Sequence, residues 1–145
     1  MKLVLQRVTH AKININNTIE RSISNGIVVL CGITHSDSQK EVDYLAEKLI
    51  NLRIFDDENG VMNLSALDID ADLLIVSQFT LYGDTRKGRR PSYIDAARPE
   101  IAIQLYESFV GKCKDSGLIT QTGEFGADMK IMLENDGPVT LILEK

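Results

Sequence analysis

Apolar and polar side chains alternate over residues 2–15, with Leu3, Leu5, Arg7 and Thr9 on one side and Val4, Gln6, Val8 and His10 on the other. A period of two marks a strand with unlike faces, and Asn16-Asn17 supplies a turn into a second strand over 18–23, so the chain opens with a hairpin. The next run, residues 26–33, is apolar without interruption, as in a strand covered on both faces. Periodicity then changes. Ser38 and Glu41 stand at capping-box spacing, and Val42, Leu45, Ala46, Leu49 and Ile50 follow at helical intervals, which predicts a helix over about 38–52. Arg53-Ile54-Phe55 leads through the Asp-Asp-Glu-Asn-Gly turn at 56–60 to a short strand at 61–64, and Leu73-Leu74-Ile75-Val76 is a further apolar strand. Pro99 suits the first turn of a second helix, whose stripe of Ala102, Leu105, Tyr106, Phe109 and Cys113 ends near Gly117. Two last strands, about 129–134 and 139–144, are expected to flank a turn at Asn135-Asp136-Gly137-Pro138, because Asp-Gly between apolar runs is a hairpin signal and proline can begin the strand that follows. No repeat, low-complexity tract or linker interrupts the pattern, so residues 1–145 read as one mostly β domain with two covering amphipathic helices.

Composition narrows the function classes. The 145 residues suffice for one buried core, and no segment reaches the continuous apolar length of a membrane span. Gln6 and Arg7 break the first apolar stretch, which leaves no secretory core, and a cytoplasmic location is expected. Cys31 and Cys113 lie far apart with no second Cys or His at ligand spacing, so both read as small buried hydrophobes and neither a disulfide nor a metal site is expected. A net charge of −5 argues against a protein that coats nucleic acid nonspecifically, since that needs a broad basic face. A local grip is compatible with it: Arg86, Lys87, Arg89 and Arg90 place four cations in five positions. A solvated loop that only aids solubility would have the same composition.

What gives the cluster meaning is its company. It follows directly on Ser77-Gln78-Phe79-Thr80-Leu81-Tyr82-Gly83-Asp84-Thr85, which joins the end of an apolar strand to a hydroxyl-rich segment, in the order floor, reaction site, phosphate grip. Together with Asn135-Asp136-Gly137-Pro138-Val139-Thr140, this stretch resembles the paired signatures of the D-aminoacyl-tRNA deacylases. The similarity runs essentially end to end, through Leu5-Gln6-Arg7-Val8-Thr9 and Gly123-Glu124-Phe125-Gly126-Ala127-Asp128-Met129. It implies a mixed, barrel-like α/β fold assembled as a homodimer. The implied activity is hydrolysis of the ester between a D-amino acid and tRNA, without metal or cofactor and with neither DNA nor membrane as partner.

Ester hydrolysis needs an attacking oxygen, a route for its proton and donors for the oxyanion. Thr80 is the obvious hydroxyl, and its family counterpart lines the pocket and has been proposed as the nucleophile. A threonine is weak without a base in reach, and His10 and His35 both lie far from Ser77 and Thr80 in sequence. The scarcity of a base favours backbone N–H groups of Phe79 and Thr80 as oxyanion donors, with the Gln78 amide beside them and the terminal adenosine's 2′-hydroxyl assisting. The resemblance supports this at least as well as covalent catalysis by Thr80. Gly137 and Pro138 match the family's cis Gly-Pro pair, which enters the partner subunit's pocket and rejects L-amino acids with main-chain atoms. Arg7 matches the arginine that braces the pair, although alone it reads equally as a strand-surface charge. Phe79 is read as pocket wall or core, Phe125 as an adenine contact, Ser77 as a local backbone partner, and Met129 as core whose family counterpart borders the pocket. Gly83 stands where many relatives carry alanine, which puts the stiffness of its loop in question. A noncatalytic RNA-binding module and an edge-strand scaffold remain as rivals: the first would hold tRNA without releasing amino acid, and the second would do neither.

Overall fold

The sheet is organised around one long strand. In the computed structural model, which describes residues 1–145, β1 (Lys2–Ile15) pairs antiparallel with β2 (Ile19–Ile23) through its C-terminal half and with β3 (Gly26–Gly32) through its N-terminal half. The β1–β2 turn holds Asn16 and Asn17 at φ of +50° and +57°, the left-handed pair that a tight hairpin needs and that asparagine tolerates. Helix α1 (Gln39–Asn51) follows, then the small antiparallel pair β4 (Phe55–Asp56) and β5 (Met62–Leu64). Next, β6 (Asp72–Ser77) adds parallel to β3, α2 (Pro99–Asp115) crosses over, and β7 (Thr120–Thr122) adds parallel to β6. The last strand, β8 (Met129–Glu144), runs antiparallel along the opposite edge of β1.

A bulge gives the sheet its barrel-like form. Val8 pairs with Asn135 and His10 with Glu134, so β1 carries one extra residue there and its alternation changes phase. Leu3 and Leu5 consequently face the larger core, with Ile27, Val29, Leu73 and Ile75 and the helical residues Leu45, Leu49 and Phe109. Val8, Ala11, Ile13 and Ile15 face the other way, onto Val28, Leu74 and Val76. β3 and β6 are therefore buried on both faces, under the helices on one and under the folded-over half of β1 on the other, which is why residues 26–33 carry no polar alternation. The expected helices are present. The Ser38 and Glu41 capping box is formed at α1, and α2 starts at Pro99 and buries Ala102, Tyr106, Phe109, Val110 and Cys113, with Leu105 only partly covered.

The expected C-terminal hairpin is corrected. Both of its halves pair with β1, as one strand of 16 residues, rather than with each other. Where β1 advances from Gln6 to Val8, β8 runs from Thr140 back to Asn135, so residues 136–139 loop out opposite Arg7. Proline has no N–H to give to a ladder, and the loop removes it from one. Arg7 is buried rather than on the strand surface, at 5% exposure. Its Nε lies 2.8 Å from an Asp136 carboxylate oxygen and its Nη1 donates to the Ile54 carbonyl at 2.6 Å. Asn135 Nδ2 donates to the Arg7 carbonyl at 2.8 Å and to the Val139 carbonyl at 3.2 Å, tying the base of the loop. The Gly137–Pro138 peptide bond is cis.

Candidate active site

The C-terminal ends of parallel strands are where a sheet of this kind leaves an open crevice, because the chain must turn away there. A cavity of about 520 Å³ lies at the ends of β3 and β6, between the start of α2 and the start of β8. Its floor is Cys31, Ile33 and Val76, one wall is Ser77, Gln78 and Phe79, and the facing wall runs from Phe125 to Met129. The lining is mainly apolar with a few polar groups at the rim, the usual make-up of a small-molecule site.

The segment after β6 does not continue as an extended strand end; it winds into a one-turn 3-10 helix, Phe79–Tyr82. Gly32 allows this, since a Cβ there would stand 3.0 Å from the Leu81 Cβ and 3.2 Å from the Gln78 carbonyl oxygen. A helix begins with N–H groups that have no partner in the preceding turn. Gln78 N–H is satisfied by the Cys31 carbonyl and Leu81 N–H by that of Gln78, whereas the N–H groups of Phe79 and Thr80 find no partner in the flanking turns or among side chains. The first two amides of this turn stand side by side, that of Phe79 on a residue that borders the cavity. Gln78 Nε2 donates to the exposed Thr80 hydroxyl. Thr80 itself is not among the lining residues, and neither are Arg7, Gly137 and Pro138.

Phe79 is rim, not core: it is 56% exposed and meets Tyr93 edge-on, with ring centroids 5.1 Å apart. Tyr93, which does not itself line the cavity, is the support of Phe79 that sequence alone does not single out, its only signal being a position just past the basic cluster. Gly83 is explained by the same ring, because a Cβ there would lie 2.9 Å from a Tyr93 carbon. Phe125 borders the cavity and tilts against Tyr106, whose hydroxyl donates to the Ile75 carbonyl at 2.8 Å. Met129 borders it too, at the first position of β8. Burial raises the pKa of the Cys31 thiol and pushes that of Cys113 up to about 12, so both stay protonated, as small apolar groups. His10 faces Thr9, and His35 meets the Ile94 carbonyl; neither borders the cavity.

The basic residues sit on a loop closed by paired backbone bonds between Asp84 and Ser92. Arg86 is committed inside that loop. Its Nε and Nη2 reach the two Asp84 carboxylate oxygens at 2.9 and 2.8 Å, and these bonds, with the Arg86 N–H, hold the Asp84 carboxyl down to about 2. Lys87, Arg89 and Arg90 are exposed and form no ion pair.

Residues 4–144 match the D-Tyr-tRNA(Tyr) deacylase family. The chain is 59% identical over 144 residues to a D-aminoacyl-tRNA deacylase of Thermosipho africanus, covering 99% of this chain and 97% of that one. It is 58% identical over 144 residues to one of Geotalea uraniireducens, covering 99% and 93%. Among solved structures, c-Myc DNA Unwinding Element Binding Protein superposes with a TM-score of 0.92 at 39% identity, covering 100% of this chain and 99% of that one. A probable eukaryotic D-amino acid tRNA deacylase superposes at 0.85 and 18% identity, over 98% and 97%, and shares the fold. With the family model matching nearly the whole chain and relatives matching along almost their whole length, the chain belongs to the D-aminoacyl-tRNA deacylases, a family of hydrolases.

Proposed function

We propose that the cavity receives the 3′-terminal aminoacyl-adenosine of a tRNA and that water cleaves its ester, with the N–H groups of Phe79 and Thr80 stabilising the tetrahedral oxyanion. The observation that carries this reading is the start of the 3-10 turn beside an apolar cavity, where the N–H groups of Phe79 and Thr80 have no turn or side-chain partner. Preorganised donors of this kind are worth about 10²–10³ in rate each when aimed at a developing oxyanion. Gln78 orients the Thr80 hydroxyl, and the adenosine 2′-hydroxyl, adjacent to the scissile ester, positions the water or relays its proton. Phe125 and Met129 flank the adenosine end, Ser77 supports the wall, and Lys87, Arg89 and Arg90 hold backbone phosphates.

Chirality is read by exclusion. Gly137 and Pro138 of a second subunit lie over the Cα of the bound amino acid, and Arg7 and Asn135 hold their loop in shape. A main-chain wall excludes every L-side chain at once and tolerates many D-side chains directed outward; glycine, with no side chain, passes. The protein then acts as a homodimeric proofreader where aminoacyl-tRNA is used, in the cytoplasm. Purified protein incubated with matched D- and L-tyrosyl-tRNA, with and without chelator, tests this. D-tyrosine is released in both conditions and L-tyrosine is not; equal release from the two, or binding without release, would overturn it.

A further inference from the structure

The sheet is an open ribbon in hydrogen bonding, running β2-β1-β3-β6-β7 with β8 on the outer edge of β1. Its two end strands, β2 and β7, come together as it curls, yet they share no ladder. β7 is three residues long and gives its last inward bond through Gly123 N–H to the Ile75 carbonyl at 3.1 Å. On the other side its carbonyls would be orphaned at the seam, which is costly for half-buried backbone. Arg21, from β2, takes them. Its Nη1 donates to the Thr122 carbonyl at 2.6 Å and the Thr122 hydroxyl at 3.1 Å, with the Gly123 carbonyl at 3.5 Å, and its Nη2 meets Glu124 Oε1 at 3.3 Å. A planar guanidinium fork is the side chain able to serve carbonyls and a carboxylate at once.

Those acceptors begin the segment that becomes the cavity's outer wall, from Phe125 to Met129. The far end of the segment is tied to the same hairpin: Asn16 N–H donates to the Asp128 carbonyl at 2.9 Å, and Asp128 N–H donates to Asn16 Oδ1 at 3.1 Å. The two ends of the segment also pack on each other, since a Cβ on Gly123 would lie 2.4 Å from the Met129 sulfur.

We infer that Arg21 is a positioning residue of the site: by closing the β2–β7 seam it sets the distance between the outer wall of the cavity and the wall carrying Gln78 and Phe79. This rests on the reading of the cavity as the aminoacyl-adenosine site. Arg21 does not touch substrate; it acts through residues 122–129.

The test compares Arg21→Met, Arg21→Lys and the milder Thr122→Val with the parent, as full-length protein. Deacylation of D-tyrosyl-tRNA gives kcat and KM. Calorimetry gives the Kd of an adenosine carrying D-tyrosine through a 3′-amide in place of the ester, and amide hydrogen exchange reports residues 122–129 separately from the core. Arg21→Met is expected to raise KM and the analogue's Kd about tenfold with kcat within about threefold, since the wall bearing the oxyanion donors is untouched. Exchange should quicken at 122–129 and remain unchanged in β3 and β6. Arg21→Lys restores part of the affinity, and Thr122→Val shows a smaller shift in the same direction. Unchanged KM and Kd, or exchange that rises uniformly across the sheet, would overturn the inference. Should Arg21→Met fail to fold, Thr122→Val with unaltered affinity and exchange would do the same. Failure of the parent to release D-tyrosine would count against the proposed function, whereas the exchange pattern would still decide on the clamp.

Discussion

At the scale of single residues, the chemistry turns on whether the Thr80 hydroxyl or its backbone does the work. The hydroxyl accepts from an amide N–H2 of Gln78, which has no capacity to take a proton, and neither histidine borders the cavity. A serine or threonine that forms an acyl intermediate needs a base at hydrogen-bond distance. None is there. Thr80→Ala is therefore expected to retain deacylation within about tenfold of the parent, whereas loss of a true nucleophile costs on the order of 10⁶ in kcat. A tRNA ending in 2′-deoxyadenosine should be cleaved far more slowly by both proteins. Rapid-quench kinetics with mass spectrometry check this, and an acyl group trapped on Thr80 would restore the covalent route. Arg7 shows the opposite relation between sequence and environment. Its place in an alternating strand left surface and interior equally open, and the loop of residues 136–139, the Ile54 carbonyl and the Asp56 carboxylate, brought in from distant segments, make burial of its charge tolerable.

At the scale of elements, legibility followed the range of the interactions. The capping box of α1 is encoded within four residues and is built as expected: Ser38 Oγ donates to Glu41 Oε2 at 2.7 Å, and Ser38 N–H donates to the same oxygen at 2.9 Å. These bonds hold the Glu41 carboxyl below the usual carboxylate range, chiefly through the Ser38 hydroxyl. Because the folded pKa is depressed, the contribution is present above the unfolded value, about 4.3, and is lost as pH falls through the folded one. Ser38→Ala should cost about 1 kcal/mol at neutral pH. The gap between the urea midpoints of parent and variant should narrow between pH 7 and pH 3 without closing, because Ser38 Oγ also accepts from Lys40 N–H whatever the charge on Glu41; a constant gap would show that Glu41 takes no part. The doubly buried strand β3 was legible for a similar reason, since its whole run is apolar. By contrast, Asn135-Asp136-Gly137-Pro138 carries the local chemistry of a hairpin, and only the length of β1, able to pair with both flanking runs, turns it into a looped bulge within one strand. β7 offered no signal, being three polar residues, Thr-Gln-Thr, recruited by the edge of β6. The cavity's inner wall could thus be placed from sequence, and its outer wall named by resemblance. The clamp that spaces the two could not, because Arg21 and Thr122 meet only when the sheet curls.

At the scale of the whole molecule, charge and symmetry carry the argument. In a chain of net charge −5, the proposed grip on RNA falls to a local cation group, and Arg86 is spent on Asp84. Neutralising Lys87, Arg89 and Arg90 should lower the slope of log K for tRNA against log salt by about 0.7–0.9 for each phosphate that is no longer neutralised, leaving the melting temperature unchanged. Identical slopes would return the loop to a merely solvating role. The second consequence concerns assembly. β8 pairs only with β1, and its free edge is long and carries exposed Met132, Leu141 and Ile142, a surface that a sheet protein must cover or blunt. The cavity lies at the Met129 end of that strand, whereas Gly137 stands eight residues further on, about 26 Å along an extended chain. That separation suits the proposed arrangement, in which the Gly-Pro wall serves the cavity of another copy. Light scattering should accordingly give twice the chain mass. The sharper test is complementation between two variants, Phe79→Ala, impaired in its cavity but with an intact loop, and Gly137→Ala/Pro138→Ala, with an intact cavity and a defective loop. Alone, the first is expected to hydrolyse poorly and the second to lose its preference for D-tyrosyl-tRNA. Co-expressed with the first in excess, intact cavities of the second meet intact loops of the first, and strong D-selectivity returns. If the mixture instead hydrolyses L-tyrosyl-tRNA at the rate set by the second variant alone, the loop acts within its own chain and the cross-subunit arrangement is wrong.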